Sequence, residues 1–272
     1  MSGSALHAPV RDILVTGAWG GMGRATVQLL KAQGYRVFAL DRTIGEAEEG
    51  VIPLVGDVTS EESLVAALQA LRSYTESLYA IVHFAGIYLL DSLVEIEDDV
   101  FRRIVDVNLR GAYLVNRVFW PMLKRGSRVL ITTSELAPLD PLPFTGLYAV
   151  TKGALDRYAY SLRMEAQLLG IEVSVLRSGA VETDMLGVST AALDRFCEKT
   201  TLYRCNAKRF KGIVERVEAR CIPTSKLGKR VLQILERSHP RFAYSINRNP
   251  LLFLMNCLPK RLQLWAIRMV LK

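Results

Sequence analysis

A tyrosine and a lysine four residues apart, Tyr148 and Lys152, are well suited to proton transfer. On a helix this spacing places both side chains on one face. A free tyrosine has a pKa of about 10, and a nearby ammonium group favours its phenolate form. The pair could therefore exchange a proton with a substrate oxygen at moderate pH. The same spacing also occurs by chance, as a pair of side chains on a helix surface.

A glycine-rich turn near the start of the chain has the composition of a phosphate-binding loop. The apolar segment Asp12–Thr16 predicts a buried strand, and a helix is predicted over Gly23–Gln33. Between them lies Thr16-Gly17-Ala18-Trp19-Gly20-Gly21-Met22-Gly23. Glycines permit the turn and let backbone N–H groups approach a pyrophosphate at the helix N-terminus. The alternative is a tight turn without a ligand, but the strand-to-helix context favours a dinucleotide site.

The second predicted strand ends at Asp41, 18 residues after Gly23. A carboxylate there accepts hydrogen bonds from an adenosine ribose and repels a 2′-phosphate, which favours NAD over NADP. Arg42 follows directly and could instead pair with a 2′-phosphate, so NADP is the less favoured alternative. Asp41 could also be no more than a solvated strand end.

Apolar segments and helical segments alternate along most of the chain. The predicted strands are Asp12–Thr16, Arg36–Leu40, Val51–Val55, Tyr79–Phe84, Arg128–Thr133 and Glu172–Arg177, with Phe242–Ile246 as a candidate seventh. The main helices are Gly23–Gln33, one capped by Ser60, Asp98–Leu123 and Tyr148–Leu169. This order predicts an α/β fold, a Rossmann-type doubly wound, mostly parallel seven-stranded sheet with helices on both faces. Pro53 predicts that Val51–Val55 is short or lies near an edge.

Composition excludes several classes of protein. The 272 residues are 50% hydrophobic, which is too apolar for a disordered chain. The apolar runs are shorter than the roughly 20 residues that a membrane-spanning helix needs, and Met1–Pro9 has no apolar core of signal-peptide length. The four cysteines form no CxxC pair and have no histidine at ligand spacing, so we expect reduced thiols, no metal site and a cytoplasmic protein.

The C-terminal third is basic and apolar. Residues 196–272 contain 17 of the 35 Lys and Arg but only 4 of the 27 Asp and Glu. No linker divides the chain, so one domain is predicted over residues 1–272. Its irregular part, Gly187–Cys221, is predicted to be a substrate lid, and residues 249–272 form a basic amphipathic segment. This segment could lie on a membrane surface, cover a pocket or contact a partner subunit.

Several of these residues occur together in one known order and spacing. Thr16–Gly23 has the form TGxxxGxG, Asn108 lies between Val and Leu, Ser134 ends the fifth strand, and Tyr148–Lys152 follows 14 residues later. In this order the chain resembles the short-chain dehydrogenase/reductase family. The resemblance is strong over about Ile13–Met185 and weaker beyond.

The resemblance implies a role for each matching residue. Tyr148 would be the general acid/base, and Ser134 would hydrogen-bond the same substrate oxygen. Lys152 would bind the nicotinamide ribose and lower the pKa of Tyr148, and Asn108 would hold a water that links Lys152 to a proton relay. The implied cofactor-binding residues are Thr16, Gly17, Trp19, Gly20, Gly21, Met22, Gly23, Asp41, Arg42, Asp57, Val58, Ala85, Gly86, Tyr148, Lys152 and Thr183.

The chain departs from the family pattern at two places. The fourth strand is followed by Asn-Asn-Ala-Gly in the family, but this chain has His83-Phe84-Ala85-Gly86. We expect His83 to have a structural role rather than a catalytic one. At Arg177-Ser178-Gly179 the family has Pro-Gly, and loss of the proline ring frees the backbone there.

The implied activity is NAD(H)-dependent interconversion of a secondary alcohol and a ketone on a hydrophobic substrate. A hydroxysteroid-type substrate is favoured, with retinoid and other lipid or aromatic alcohols as alternatives. Two other hypotheses are an NAD(P)-binding sensor without catalysis and a sugar-nucleotide epimerase or dehydratase. The family implies a homodimer or homotetramer through Asp98–Leu123 and Tyr148–Leu169. No base-reading motif supports nucleic-acid binding.

Overall fold

Seven parallel strands form the central sheet. The computed structural model describes residues 11–272, and for residues 184–190 and 217–218 it gives the backbone only. Within this range the strands are β1 Asp12–Thr16, β2 Arg36–Asp41, β3 Val51–Val55, β4 Leu78–His83, β5 Leu123–Ser134, β6 Glu172–Ser178, β7 Val181–Glu182, β8 Ile222–Pro223 and β9 Ala243–Ile246. The sheet order is β3-β2-β1-β4-β5-β6-β9, and β7 pairs with β8 in a separate two-stranded sheet. The predictions made for Met1–Pro9 lie outside the described residues.

Helices cover both faces of this sheet. They are α1 Gly21–Ala32, α2 Glu61–Arg72, α3 Asp98–Val105, α4 Gly111–Phe119, α5 Gly146–Ala166, α6 Asp184–Lys199, α7 Arg204–Glu218, α8 Thr224–Leu235, α9 Pro250–Cys257 and α10 Lys260–Leu271. One apolar core joins α2, α4 and α5 to the sheet, and a second joins α1 and α8 to it. The predicted doubly wound, seven-stranded architecture is confirmed.

The strand order reverses between β1 and β4, which lie side by side. In a doubly wound sheet this reversal opens a crevice at the carboxyl ends of the strands, where ligands bind. The edge position predicted for the proline-containing strand is also observed, because β3 pairs with β2 alone. Pro53 therefore removes no hydrogen bond that a second neighbour would need.

The prediction of a single helix over Asp98–Leu123 is wrong in two details. A π-helical turn, Asp106–Arg110, separates α3 from α4, and a 3₁₀ turn follows at Trp120–Met122. Pro121 lies in that 3₁₀ turn, consistent with proline's inability to continue a helix. Leu123 already belongs to β5.

The prediction that Gly187–Cys221 is irregular is also wrong, because α6 and α7 occupy most of it. Leu193, Phe196, Ala207 and Phe210 recur at helical spacing, and they form a third apolar core with Phe144. The helical packing of this segment therefore covers one side of the cavity described below.

The end of the chain forms two further helices. The helix predicted after Pro259 is observed as α10, and α9 precedes it. Across residues 11–272, no helix combines the length and the apolar character that crossing a bilayer requires.

Candidate active site

Ser134, Tyr148 and Lys152 come together at the carboxyl end of the sheet. β5 ends at Ser134, and α5 presents Tyr148 and Lys152 on one face. The Ser134 hydroxyl hydrogen-bonds to the Tyr148 hydroxyl. All three side chains line a cavity of about 680 Å³, which we call the substrate cavity.

Burial controls the ionisation of this group. It raises the pKa of Tyr148 to about 12, against a lowering effect from the Ser134 hydrogen bond, and the nearby Glu135 carboxylate raises it further. Burial also lowers the pKa of Lys152 to about 8. The Lys152 Nζ lies 5.8 Å from the centre of the Tyr148 ring. In this structure burial thus outweighs any lowering of the Tyr148 pKa by Lys152.

Asn108 supports these residues from behind. It is buried in the π-helical turn, where its Oδ1 accepts a hydrogen bond from the Ile87 N–H at 2.8 Å. Its Nδ2 donates to the Ile87 carbonyl at 2.9 Å and to Thr151 Oγ1 at 3.2 Å. Asn108 thereby ties the segment after β4 to the catalytic helix. Its implied water-holding role stays a prediction.

A second cavity, of about 840 Å³, lies along the ends of β1, β2 and β3 and the start of α1. We call it the cofactor cleft. The predicted residues that line it are Gly17, Trp19, Gly20, Gly21, Met22, Gly23, Asp41, Arg42, Asp57, Val58, Ala85, Gly86 and Thr183. Thr16 does not line it. It is fully buried, and its Oγ1 accepts a hydrogen bond from the Ala85 N–H at 3.4 Å, so it fixes the wall of the cleft instead.

The glycine loop is packed so closely against neighbouring backbone that side chains would not fit at two of its positions. Gly17 has φ +64°, and a Cβ there would lie 2.6 Å from the Ala85 nitrogen. A Cβ on Gly23 would lie 2.1 Å from the Gly17 carbonyl oxygen. These glycines therefore permit the tight turn that brings the N-terminus of α1 to the cleft, where backbone N–H groups suit a pyrophosphate. The cleft and its loop fit a nicotinamide dinucleotide.

Asp41 is held in place at the end of β2, in the wall of this cleft. Its Oδ2 accepts a hydrogen bond from the Trp19 N–H at 3.0 Å, and its Oδ1 accepts one from the Arg42 N–H at 2.8 Å. The carboxylate is therefore oriented by the glycine loop and by its own strand end. The Arg42 side chain is exposed on the rim.

The cleft and the substrate cavity meet. Six residues line both of them: Met22, Phe84, Gly86, Ile87, Tyr88 and Thr183. At this junction the Tyr88 ring contacts the Tyr148 ring edge-on, with 4.7 Å between their centres. A group that extends from the cleft would thus arrive beside the Tyr148 hydroxyl.

His83 has the structural position that we expected. Its Nε2 lies 2.9 Å from Asn116 Oδ1, and Asn116 Nδ2 donates to the Tyr158 hydroxyl at 3.1 Å. Burial lowers the pKa of His83 to about 4, so the ring is neutral at physiological pH. The histidine lines neither cavity and connects β4 to α4 and α5.

The second departure is compensated by an ion pair. Arg177 donates to both Asp156 oxygens, from Nε at 2.9 Å and from Nη2 at 2.7 Å. Thr133 Oγ1 donates to the same carboxylate at 3.2 Å. β6 is thereby fixed to α5, and Ser178 is held in register between β5 and β9.

One group at the site, Glu135, was missed from the sequence, and a second was left open between alternatives. Glu135 lines the substrate cavity, and its Oε2 accepts a hydrogen bond from the Asn249 N–H at 2.6 Å. Residues of α9 and α10, including Leu251, Met255 and Val270, line the same cavity as Tyr148, which is one of the three alternatives predicted for residues 249–272. The position of Glu135 directly after Ser134 was a usable signal, whereas nothing local indicates which residues of a tail will face a cavity.

We predict that Glu135→Gln shifts the ascending limb of the pH–rate profile for alcohol oxidation, on which the rate rises with pH, to lower pH. The Glu135 carboxylate raises the pKa of Tyr148, and the neutral amide would not, so the phenolate would form at lower pH. The amide oxygen of the Glu135→Gln variant can still accept the hydrogen bond from the Asn249 N–H. The matched variant is Glu135→Ala, which loses both the charge and this hydrogen bond. A limb that moves to higher pH in Glu135→Gln would contradict this account.

In the part of the chain that the structure describes, no three His, Cys, Asp or Glu side chains form a metal-binding group, and the four cysteines are free.

The comparisons with known proteins agree with this geometry. A family model described as short chain dehydrogenase matches residues 11–194. Estradiol 17-beta-dehydrogenase 2 of Rattus norvegicus is 30% identical over 85% of this chain and 61% of that protein. The NADPH-dependent 1-acyldihydroxyacetone phosphate reductase of Schizosaccharomyces pombe is 28% identical over 66% and 64%. The 3-ketodihydrosphingosine reductase of Bacteroides thetaiotaomicron is 25% identical over 85% of each chain. The matches thus span a little over three fifths of the first two relatives.

Solved structures share the fold at lower identity. A short chain dehydrogenase from Burkholderia cenocepacia, in complex with NADP, superposes with a TM-score of 0.73 at 21% identity and covers 97% of this chain and 98% of that one. A 3-ketoacyl-(acyl-carrier-protein) reductase from Brucella melitensis, complexed with NADH, gives 0.71 at 22% identity and covers 87% and 96%.

Proposed function

The chain belongs to the short-chain dehydrogenase family and is an oxidoreductase of that family, and from this premise we propose that it interconverts a secondary alcohol and a ketone on a hydrophobic substrate with NAD(H). One observation carries the proposal. The hydrogen-bonded Ser134–Tyr148 pair and Lys152 lie where an apolar cavity meets a cleft that fits a dinucleotide.

Each side chain has a defined task in this reaction. The bound nicotinamide accepts or supplies the hydride. During oxidation the Tyr148 hydroxyl oxygen, as phenolate, takes the proton of the substrate hydroxyl, and during reduction it donates a proton to the carbonyl oxygen. Ser134 donates a hydrogen bond to the same oxygen. Lys152, with a pKa of about 8, is mostly protonated at pH 7 and favours the phenolate by its charge.

The cofactor preference rests on Asp41. Its carboxylate is fixed in the adenosine end of the cleft, where it can accept hydrogen bonds from ribose hydroxyls and repels a 2′-phosphate. Arg42 is exposed on the rim and has no comparable support from the loop. NAD(H) is therefore the proposed cofactor, and NADP(H) the less favoured one.

We predict that the wild-type protein binds NADH at least about tenfold more tightly than NADPH, and that Asp41→Asn removes most of this difference. Tenfold corresponds to about 1.4 kcal/mol, a modest repulsion between charges a few ångströms apart. The amide oxygen can still accept from the Trp19 N–H, so the loop keeps its anchor. The measurement is a titration followed by energy transfer from tryptophan to the nicotinamide. Tighter NADPH binding by the wild type would make Arg42 the selecting residue.

The substrate class rests on the shape and lining of the substrate cavity. Its volume of about 680 Å³ lies within the range of about 300–1,000 Å³ that small-molecule sites span. Aliphatic and aromatic side chains dominate its wall, and polar groups gather near Tyr148. A hydroxysteroid-type alcohol is favoured, in agreement with the name of the estradiol dehydrogenase relative. A retinoid or other lipid alcohol is the second candidate, which the name of the ketodihydrosphingosine reductase supports.

The test is an NAD-dependent turnover assay with steroid, retinoid and long-chain secondary alcohols. Turnover of one of these classes, lost in Tyr148→Phe, supports the proposal. NADH binding without turnover of any of them favours a sensor without catalysis, and no binding of either cofactor contradicts the proposal as a whole.

On the same proposal the protein is a single-domain cytoplasmic homodimer or homotetramer, with a lid over about residues 187–221. Exposed apolar residues on α3, α4 and α5 support assembly through these helices: Phe101, Tyr113, Val150, Tyr160 and Met164. Light scattering measures the oligomeric state. The basic amphipathic segment 249–272 would add peripheral contact with a membrane.

A further inference from the structure

The last two helices leave a broad apolar surface uncovered. Eight large side chains of α9 and α10 are between 50% and 68% exposed: Leu251, Phe253, Leu254, Leu262, Leu264, Trp265, Met269 and Val270. We call this group the tail surface. Soluble proteins seldom expose so many neighbouring apolar groups unless the patch contacts a partner or a membrane.

The charge around the tail surface has one sign. After Glu236 the chain has seven basic residues and no acidic residue, namely Arg237, Arg241, Arg248, Lys260, Arg261, Arg268 and Lys272. Arg261, Arg268 and Lys272 are exposed on α10 and at its end. A surface of apolar side chains bordered by cations is complementary to a bilayer that contains anionic lipid.

The tail surface is rigidly attached to the active-site side of the molecule. Gln263 Nε2 donates to Asp140 Oδ2 at 3.0 Å, and Lys260 forms an ion pair with the same carboxylate. The Asp140 N–H donates to Asn256 Oδ1 at 2.7 Å. At the other end, Asn206 Nδ2 donates to the Leu271 carbonyl at 2.7 Å, and the Leu271 side chain is buried in the third apolar core, which α6 and α7 form with Phe144. The exposed side chains therefore belong to a fixed scaffold.

Three residues of the tail surface also line the substrate cavity. Leu251, Leu254 and Val270 are more than half exposed and also line the cavity, and Ser134 and Tyr148 lie on its inner wall. The three tail-surface side chains form an apolar connection between the outer face of α9 and α10 and the wall of the cavity that contains the reacting groups. A hydrophobic molecule could follow it without crossing bulk water.

We infer that the tail surface docks on the face of an anionic membrane and that the hydrophobic substrate enters and leaves the cavity directly through the lipid. The docking part stands on the surface itself, and the entry part rests on the proposed function. α9 has 8 residues and α10 has 12, so both lie in the interface and neither spans the roughly 20 residues of a bilayer crossing.

The charge of the tail surface favours an anionic membrane over a second copy of the chain as its partner. A two-fold interface through the tail surface would place the same patch against itself. The cations of one copy would then face those of the other, which opposes association. An anionic bilayer meets both the apolar and the basic character of the surface.

The docking test is flotation with vesicles of phosphatidylcholine alone or with about one third phosphatidylserine. The wild type should float with the anionic vesicles. The variant Arg261→Gln/Arg268→Gln/Lys272→Gln should bind these vesicles about a hundredfold more weakly, because each lost charge lowers the affinity by about tenfold or less. The matched control Arg72→Gln/Lys124→Gln/Arg125→Gln removes three exposed charges elsewhere and should bind like the wild type. A wild type that stays soluble, or a control that loses as much binding, overturns the inference.

The entry test compares two alcohols in the variant Leu264→Ser/Trp265→Ser, whose altered side chains do not line the cavity. Turnover of 2-hexadecanol dissolved in anionic vesicles should fall at least about tenfold, and turnover of water-soluble cyclohexanol should change less than about twofold. Equal losses on both alcohols, or no loss on either, overturn direct entry. A wild-type dimer that this variant converts to a monomer would assign the surface to a second copy.

These outcomes are separable from failure of the proposed function. Flotation needs neither cofactor nor substrate, so a chain that floats but oxidises no alcohol contradicts the proposed function and leaves the docking surface standing. A chain that oxidises cyclohexanol but does not float contradicts the inference alone.

Discussion

Replacing Tyr148 with phenylalanine should lower kcat by about a thousandfold and leave the NADH dissociation constant within about twofold of the wild-type value. The variant removes only the hydroxyl that exchanges a proton with the substrate oxygen. The ring would keep its edge-on contact with Tyr88, and the cofactor cleft is lined by other residues. The measurement is single-turnover hydride transfer, followed by nicotinamide absorbance, with NADH titration on the same preparation.

The matched control is Tyr160→Phe, which makes the same chemical change 12 residues further along α5 at an exposed site. It should have wild-type kcat and wild-type cofactor affinity. Turnover by Tyr148→Phe within about tenfold of the wild type would mean that another group carries the proton. The nearest alternative is Ser134, which hydrogen-bonds to the same hydroxyl.

Much of the fold before about residue 185 could be predicted because local sequence determines it. The segment Asp12–Gly23 combines an apolar run with glycines that only a tight strand-to-helix turn requires, and the structure has β1 and α1 there. The apolar residues before Asp41 predict a buried strand that ends at this residue, and in the structure they are buried in the sheet. Because the carboxyl ends of parallel strands meet at one edge, residues that follow them share a site even when they are far apart in sequence.

The remainder depends on contacts that one sequence does not specify. Asn116 hydrogen-bonds to the buried His83 and to Tyr158, and Asp156 pairs with Arg177, yet the members of each pair lie between 21 and 42 residues apart in sequence. The helical fold of residues 187–221 depends on packing of Phe196 and Phe210 against Phe144, which follows from tertiary structure. Amphipathic character predicted a surface role for residues 249–272, but the same side chains both form the cavity wall and face outward.

Lys152 illustrates how the site trades stability for chemistry. Its Nζ is buried, and the one hydrogen bond described for it is donated to the Thr132 carbonyl at 3.2 Å. Burial lowers its pKa from 10.5 to about 8, which corresponds to about 3 kcal/mol of unfavourable free energy for the charged form at neutral pH. A cation held at this cost is useful only where its charge acts on a neighbour, here Tyr148.

Replacing Lys152 with methionine should therefore raise the stability of the cofactor-free protein by about 2 kcal/mol at pH 7, because about 1 kcal/mol is lost with the hydrogen bond to Thr132. The melting temperature should rise by about 5 °C, and kcat/KM should fall at least about a hundredfold. Calorimetry and steady-state kinetics on one preparation measure both. The exposed Lys124→Met is the control and should change neither quantity.

The pH dependence of this stability difference has a definite sign. Between pH 8 and 10.5 the unfolded wild type binds more protons at this lysine than the folded protein does. The stability of the wild type relative to Lys152→Met therefore rises with pH through this window, and the advantage of methionine shrinks. Below pH 8 the advantage should be constant. An advantage that grows above pH 8, or a variant less stable than the wild type at pH 7, would show that Lys152 is stabilised by its surroundings and that its charge is held in the site without cost.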